Sequence, residues 1–379
     1  MKFTFVNLAA AATLSLLPVT GFAQSLSWAS GWPPGGFIPN AVDKAAAYIS
    51  ENSDLEVKHF PLSLLSFTET VAGLRDGVVD IGYVLMPYFP AEFSETNLAS
   101  DLTMLATSGI VTEAPGLAMT GALAEYIMLD CAGCRSEFTA QNQVYLAGGA
   151  TTEYRNQCDR SVSTIADMKG LKIRNGAANF GRYAEKLGAV KVAISGGEIY
   201  EAMSANAIDC AMVAIPELLS LRLIEVVKSI TMGAPGGVFA GTGSANVNLD
   251  VWKEMTPEQR EVVLHAASQL SADIAVGYVL TEKDAMQQAK DAGIEFIDAA
   301  PDLVAATEAF VKEDIGTIGE QYKTSYNVDD VDGKIEKITA LIEKWKGLVG
   351  PVAEDAAGFD KLLWDQIYSK IDVNSYGLE

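Results

Sequence analysis

Histidine is nearly absent from the 379-residue chain: His59 and His265 are the only two. That scarcity leaves little room for His-based acid–base catalysis or a His-rich metal centre. Basic residues are few as well. Lys and Arg total 27 against 49 Asp and Glu, a formal net charge of −22. The excess of negative charge argues against nucleic acid or an anionic membrane surface as the main partner. An anionic small ligand stays possible, because one buried Arg can define a pocket beneath an acidic surface. Repeats, long charge blocks and low-complexity tracts are lacking. With 49% hydrophobic residues, a disordered chain is excluded. The length fits two lobes of roughly 100–200 residues each.

Long apolar runs are missing except at the start. Lys2 precedes an apolar core over residues 8–17, which Pro18 and Gly21 break, and Gly21-Phe22-Ala23 offers small residues at a cleavage site. This pattern predicts a signal peptide, residues 1–23, cut after Ala23. The run is shorter than the roughly 20 residues a membrane span needs, and no later stretch reads as a transmembrane helix. The mature chain is therefore expected in the periplasm, soluble and acidic.

Export to an oxidising compartment changes the reading of Cys131, Cys134, Cys158 and Cys210. An even count favours structural disulfides. A redox Cys-x-x-Cys at Cys131-Ala-Gly-Cys134 and a zinc site are the alternatives, although the overall spacing matches no common zinc module. No metal site and no cofactor are expected.

The remaining pattern is α/β. Residues 26–30, 55–60 and 78–85 read as strands, with helices over 41–52 and 67–76 between them. Strands alternating with helices predict a helix-covered parallel sheet, whose ligands bind beyond the carboxyl ends of the strands. A second series follows, with strands at 143–147, 171–174, 190–194 and 208–213 and helices at 180–187 and 198–206. Residues 239–247 are expected to carry the chain back to the first lobe. Thr256-Pro257-Glu258-Gln259 is the clearest helix start, with an N-cap Thr, Pro at the first position and a Gln that closes a capping box. That helix should run to about Ala292, long enough to lie along both lobes. Residues 331–348 and 359–370 read as terminal helices.

Asp167-Met168-Lys169-Gly170-Leu171-Lys172-Ile173-Arg174 is a turn, a Gly and a strand that delivers an Arg at its carboxyl end. Leu187-Gly188-Ala189, Glu198-Ile199-Tyr200-Glu201-Ala202-Met203 and Asn206-Ala207-Ile208-Asp209 follow in order. Arg75-Asp76-Gly77-Val78-Val79-Asp80 and Trp252-Lys253-Glu254-Met255-Thr256-Pro257-Glu258 flank them. This series resembles the dicarboxylate-binding (DctP-like) substrate-binding proteins of tripartite ATP-independent periplasmic (TRAP) transporters, over roughly residues 26–370. The resemblance implies a two-lobe, type II-like periplasmic binding fold with a long helix spanning both lobes. Lobe I is expected at residues 24–149 with 240–280 returning to it, and lobe II at 150–239 with 281–340. Residues 341–379 should pack on the lobes as terminal helices.

In that family the strand-end Arg pairs with a ligand carboxylate, and Arg174 occupies its place. A guanidinium fork matches a carboxylate with two parallel hydrogen bonds; a structural salt bridge is the competing reading. The chain departs from the family after Asp209, where Cys210-Ala211-Met212-Val213-Ala214 replaces a polar run. Phe67 replaces a polar residue, and an aromatic near Gly196 is missing. A second basic contact would fall near Tyr154 or Arg155. These departures predict one carboxylate anchor and otherwise apolar or aromatic walls: Trp32, Phe67, Met86, Tyr88, Tyr154, Val213 and Phe239. Core packing is the alternative for each. The expected ligand is a small organic monocarboxylate with an apolar body.

The resemblance also implies lobe closure on the ligand and delivery to small and large membrane subunits that use an ion gradient and no ATPase. A disulfide across the lobes would resist closure, so the expected pairs are Cys131–Cys134 and Cys158–Cys210. Rival functions are a ligand-binding protein serving a sensor and an exported hydrolase. The hydrolase lacks a His in any recognisable catalytic motif, and Asp80 and Asp209 read as structural turn residues. The protein is expected not to be an enzyme.

Overall fold

The computed structural model describes residues 24–110 and 112–378, so the expected leader, residues 1–23, lies outside the described residues. The strands, in chain order, are β1 (Gln24–Ser30), β2 (Leu55–Pro61), β3 (Ile81–Leu85), β4 (Gln143–Tyr145), β5 (Glu153–Cys158) and β6 (Lys172–Asn175). They continue with β7 (Val190–Ala193), β8 (Cys210–Val213), β9 (Ser229–Val238), β10 (Thr242–Asn248) and β11 (Glu295–Asp298).

The first sheet has the order β2-β1-β3-β10-β4. Strand β1 runs parallel to β2 and β3, whereas β10 is antiparallel to β3 and β4. Every residue of β3 is buried, which explains its unbroken apolar sequence: a central strand covered on both faces has no solvent side to alternate with. The helix Phe37–Asn52 buries Ile38, Val42, Ala45, Ala46 and Ile49 on one face, the three-and-four spacing of an amphipathic helix. Asp80 locks the edge of this layer by accepting from the Ser27 amide (2.7 Å) and hydroxyl (2.8 Å).

The second sheet has the order β11-β9-β5-β8-β6-β7. Strands β7, β6 and β8 are parallel, and β5 is antiparallel to both of its neighbours. Cys158 and Cys210 lie directly opposite each other on β5 and β8 and are disulfide-bonded. A second disulfide joins Cys131 to Cys134. Asp209 accepts from the Lys172 amide at 2.8 Å and from Arg160 at 2.9 Å, so it holds the entry to β6 rather than any reacting group. The chain passes back from the second sheet to the first between β9 and β10.

The helix Pro257–Asp291 braces both halves. Its capping box is formed: the Thr256 hydroxyl accepts from the Gln259 amide at 3.2 Å, and the Gln259 side-chain oxygen accepts from the Thr256 amide at 2.8 Å. Its 35 residues make it about 50 Å long at 1.5 Å per residue. Val263, Leu270 and Ile274 belong to the large core, whereas Ala285 and Ala289 join Ile199, Ile208 and Ile230 in the core of the second sheet. One stretch of this helix reaches a mean hydropathy of 1.3, enough for a membrane span by composition, yet 67% of it is buried against the protein. The fold is a two-lobe α/β architecture with a long helix along both lobes.

Several elements differ from the sequence-based expectation. Phe67 does not begin a helix; it sits in a turn before the helix Thr70–Arg75. The strands β5 and β9 and the 24-residue helix Pro301–Thr324 were not anticipated. Strand β5 reads Glu-Tyr-Arg-Asn-Gln-Cys and β9 contains Gly-Ala-Pro-Gly-Gly. The polar composition of β5 and the Gly-Ala-Pro-Gly-Gly interruption of β9 hide both from a propensity reading, because their strand state is set by neighbours in the sheet. The helix Val331–Leu348 has the expected bounds. It packs on Pro115–Glu125, where Glu125 accepts from Lys344 and from the Trp345 indole, each at 2.7 Å.

Candidate functional site

Strand ends of both sheets converge on one cavity. Strand β6 places Arg174 one residue before its end, and 2% of that residue is exposed. Arg174 Nε donates to the Ile194 carbonyl at 3.1 Å, just beyond β7, and Nη2 donates to the Tyr88 hydroxyl at 2.9 Å. The Gly196 amide donates to the same hydroxyl at 2.9 Å. Gly176 leaves room for the guanidinium: a Cβ there would lie 3.0 Å from both terminal nitrogens. Among the described residues no carboxylate forms an ion pair with Arg174. Its charge is held by neutral oxygens at a cavity wall, and this arrangement can take an anion with charge-assisted hydrogen bonds.

The opposite walls are aromatic. Trp32 packs edge-on against Phe67 (5.1 Å between centroids) and against Tyr83 (6.2 Å). Gly31 permits this approach, since a Cβ there would come within 2.5 Å of the Phe67 ring. Tyr154 stacks between Phe180 (4.6 Å) and Phe239 (6.0 Å). Val213 and Leu221 complete the apolar lining, and the cavity holds about 480 Å³ of non-atomic space with its mouth included.

One more ionisable group faces this space. Glu217, 5% exposed, follows Pro216 in the short helix after β8. One of its oxygens accepts from the Tyr278 hydroxyl at 2.9 Å. Tyr278 is presented by the long helix and is held by an edge-on contact with Phe37, at 4.8 Å. Burial pushes the Glu217 carboxyl up to about 8, against the smaller opposing effects of the Tyr278 bond and the Arg174 charge.

The cavity brings together Arg174, Trp32, Phe67, Tyr88, Tyr154, Val213 and Phe239. Met86 is a correction. It opens the 3₁₀ turn Met86–Tyr88, is fully buried, and is not among the lining residues. The turn rotates the chain so that Met86 enters the core and Tyr88, two positions on, reaches the cavity. Arg155 turns away from the site and pairs with Glu153, which leaves Arg174 as the basic side chain of the lining. Sequence reasoning missed Tyr83, Thr151, Glu217, Thr242 and Tyr278. A lone Glu inside the apolar run 211–219 was the available signal for Glu217. Elsewhere, His59 bridges Ser30 (2.8 Å) and Asp43 (2.9 Å) with both ring nitrogens, and burial lowers its pKa despite the Asp43 contact.

The family model for bacterial extracellular solute-binding protein, family 7 (DctP), matches residues 29–321. A solute-binding protein of Albidiferax ferrireducens is 23% identical over 322 residues, 82% of this chain and 81% of that one. The fold is shared with a marine-metagenome TRAP solute-binding protein specific for aromatic acid ligands, in complex with metahydroxyphenylacetate. That similarity has a TM-score of 0.73 at 21% identity and covers 85% of this chain and 99% of that one. A TRAP periplasmic solute-binding protein of Bordetella bronchiseptica with bound mandelate is similar at a TM-score of 0.71 and 20% identity, covering 84% and 99% of the two chains. The family match spans most of the sequence, and this chain belongs to the DctP family of bacterial extracellular solute-binding proteins.

Proposed function

We propose that the chain is the periplasmic receptor of a TRAP-type secondary transporter. In this reading it captures a small organic monocarboxylate with an apolar, aromatic body and passes it to the small and large membrane subunits. One observation carries the reading: a buried guanidinium, without a carboxylate partner among the described residues, faces a cavity walled by Trp32, Phe67, Tyr154 and Phe239. An aromatic acid would place its carboxylate on Arg174 and Tyr88 and its ring among these side chains. The relatives that bind metahydroxyphenylacetate and mandelate support the same ligand class.

Lobe I then comprises residues 24–149 and 240–280, lobe II residues 150–239 and 281–340, and residues 341–379 pack on both. Closure would favour the liganded state because a carboxylate could touch Arg174 of the second sheet and Tyr88 of the first together only with the lobes closed; differential contact of this kind is what shifts a population. Cleavage after Ala23 would release the mature receptor into the periplasm.

The test is a calorimetric panel of carboxylates on wild type and Arg174→Ala. Aromatic monocarboxylates should bind the wild type, and the variant should lose about 10²–10⁴-fold in affinity, the worth of two charge-assisted hydrogen bonds at about 1.5–3 kcal/mol each. Tight binding of a C4-dicarboxylate with no binding of aromatic monocarboxylates would refute the ligand class. Unchanged affinity of Arg174→Ala would remove Arg174 from the site.

A further inference from the structure

The cavity contains a second polar post that a carboxylate with a plain apolar body would leave unused. Glu217 is buried, and its Oε1 is already bonded to Tyr278. Its Oε2 is buried with no hydrogen-bond partner. The residue lines the same cavity as Arg174, yet the two form no ion pair, so neither one neutralises the other by contact. A buried carboxyl oxygen without a partner has lost its hydration and gained nothing in exchange. A ligand atom that restores the missing bond would therefore add both affinity and selectivity.

We propose that Glu217 is a specificity-determining residue whose Oε2 hydrogen-bonds a hydroxyl on the body of the ligand, away from its carboxylate, so that the receptor prefers hydroxylated aromatic acids to their unsubstituted parents. This rests on the reading of Arg174 as the carboxylate anchor.

A hydroxyl suits the site better than other polar groups. It can accept from a protonated Glu217 and donate to an ionised one, whereas a carbonyl or an ammonium group satisfies only one of the two states. Burial favours the protonated form near neutral pH, which also preserves the positive balance that Arg174 offers to a monoanion. The charged and titratable groups facing Glu217 are Arg174 and Tyr154 from the second sheet, Tyr83 from the first, and Tyr278 and Glu282 from the long helix. Tyr278 sets the orientation, because its bond to Oε1 leaves Oε2 as the oxygen available to a ligand.

The experiment compares matched pairs by calorimetry: benzoate with 3-hydroxybenzoate, and phenylacetate with its 3- and 4-hydroxy derivatives. Wild type should favour at least one hydroxylated member about tenfold or more. Glu217→Leu should bring that ratio close to one. Glu217→Met, close in volume and unable to donate to the hydroxyl, serves where the Leu variant fails to fold, and should reduce the ratio at least threefold. Equal affinities within every pair in the wild type, or a ratio unchanged in the folded variants, would overturn the role of Glu217 while leaving the carboxylate receptor intact. Absence of binding by all of these acids to the wild type would overturn both readings together.

Discussion

The Tyr88 hydroxyl accepts hydrogen bonds from Arg174 Nη2 and from the Gly196 amide, each at 2.9 Å. Tyr88 follows β3 of the first sheet, whereas Arg174 lies at the end of β6 and Gly196 follows β7 of the second. One oxygen thus joins the strand ends of both sheets at the cavity. With both acceptor positions occupied, the phenolic proton is left to donate, and a bound carboxylate is the natural acceptor.

Removing that hydroxyl tests the relationship. Tyr88→Phe should weaken carboxylate binding by about 10–100-fold, the worth of one hydrogen bond to a charged group at roughly 1.5–3 kcal/mol. The unliganded melting temperature should move by only a few degrees. Calorimetry alongside thermal melts separates the two effects. A large drop in unliganded stability with unchanged affinity would make Tyr88 a packing residue.

Glu217 gives the stability of the unliganded protein a defined pH dependence. Its folded-state value of about 8 lies above the ordinary 4.5, so the unfolded chain loses this proton first. The contribution of the protonated group is full below about 4.5 and is lost as pH rises through about 8. Urea unfolding of wild type and Glu217→Gln from pH 5 to 9 should show the variant gaining relative to wild type as pH rises. Parallel pH profiles would contradict the assignment.

The two disulfides should contribute unequally. Cys158–Cys210 closes a separation of 52 residues and Cys131–Cys134 one of only 3. The chain-entropy treatment assigns about 4 kcal/mol to the longer loop and about 2 kcal/mol to the shorter. Paired Cys→Ser replacement at 158 and 210 should therefore lower the denaturation midpoint more than the same change at 131 and 134. The reverse order would place the stabilisation in local geometry at Cys131–Cys134.

Arg182 holds three helices together. It forms a two-pronged pair with Asp314 of Pro301–Thr324 (2.7 and 2.8 Å) and reaches Asp101 of Ser94–Asp101 at 3.1 Å, where the Tyr322 hydroxyl also donates (3.2 Å). Burial raises the Asp101 carboxyl, and the Arg182 charge opposes that rise. Arg182→Leu leaves two buried carboxylates uncompensated and should cost roughly 3–5 kcal/mol in chemical unfolding. Adding Asp101→Asn should recover part of the loss. A cost below about 1 kcal/mol would mean that solvent already screens the cluster.

Elements whose signals are local were legible before folding. Thr256-Pro257 and Gln259 start the long helix through bonds among four neighbouring residues, and the strand that delivers Arg174 is announced by the turn and Gly170 before it. The aromatic character of the cavity was legible at Trp32, Phe67, Tyr154 and Phe239. Met86 against Tyr88 was not, because a two-residue rotation in a 3₁₀ turn decides which side chain enters the core. Strand β5 was not, because Glu-Tyr-Arg-Asn-Gln-Cys becomes a strand only when β8 and β9 pair with its two edges.

Composition and short-range patterning were enough to establish an acidic α/β chain with a strand-end Arg and a long capped helix, since these depend on neighbours along the backbone. The pairing of Arg174 with a tyrosine rather than an acid, and the placement of Glu217 with one oxygen bonded and the other bare, came from packing. Burial and partner choice are set by residues far apart in the chain, and no local pattern encodes them.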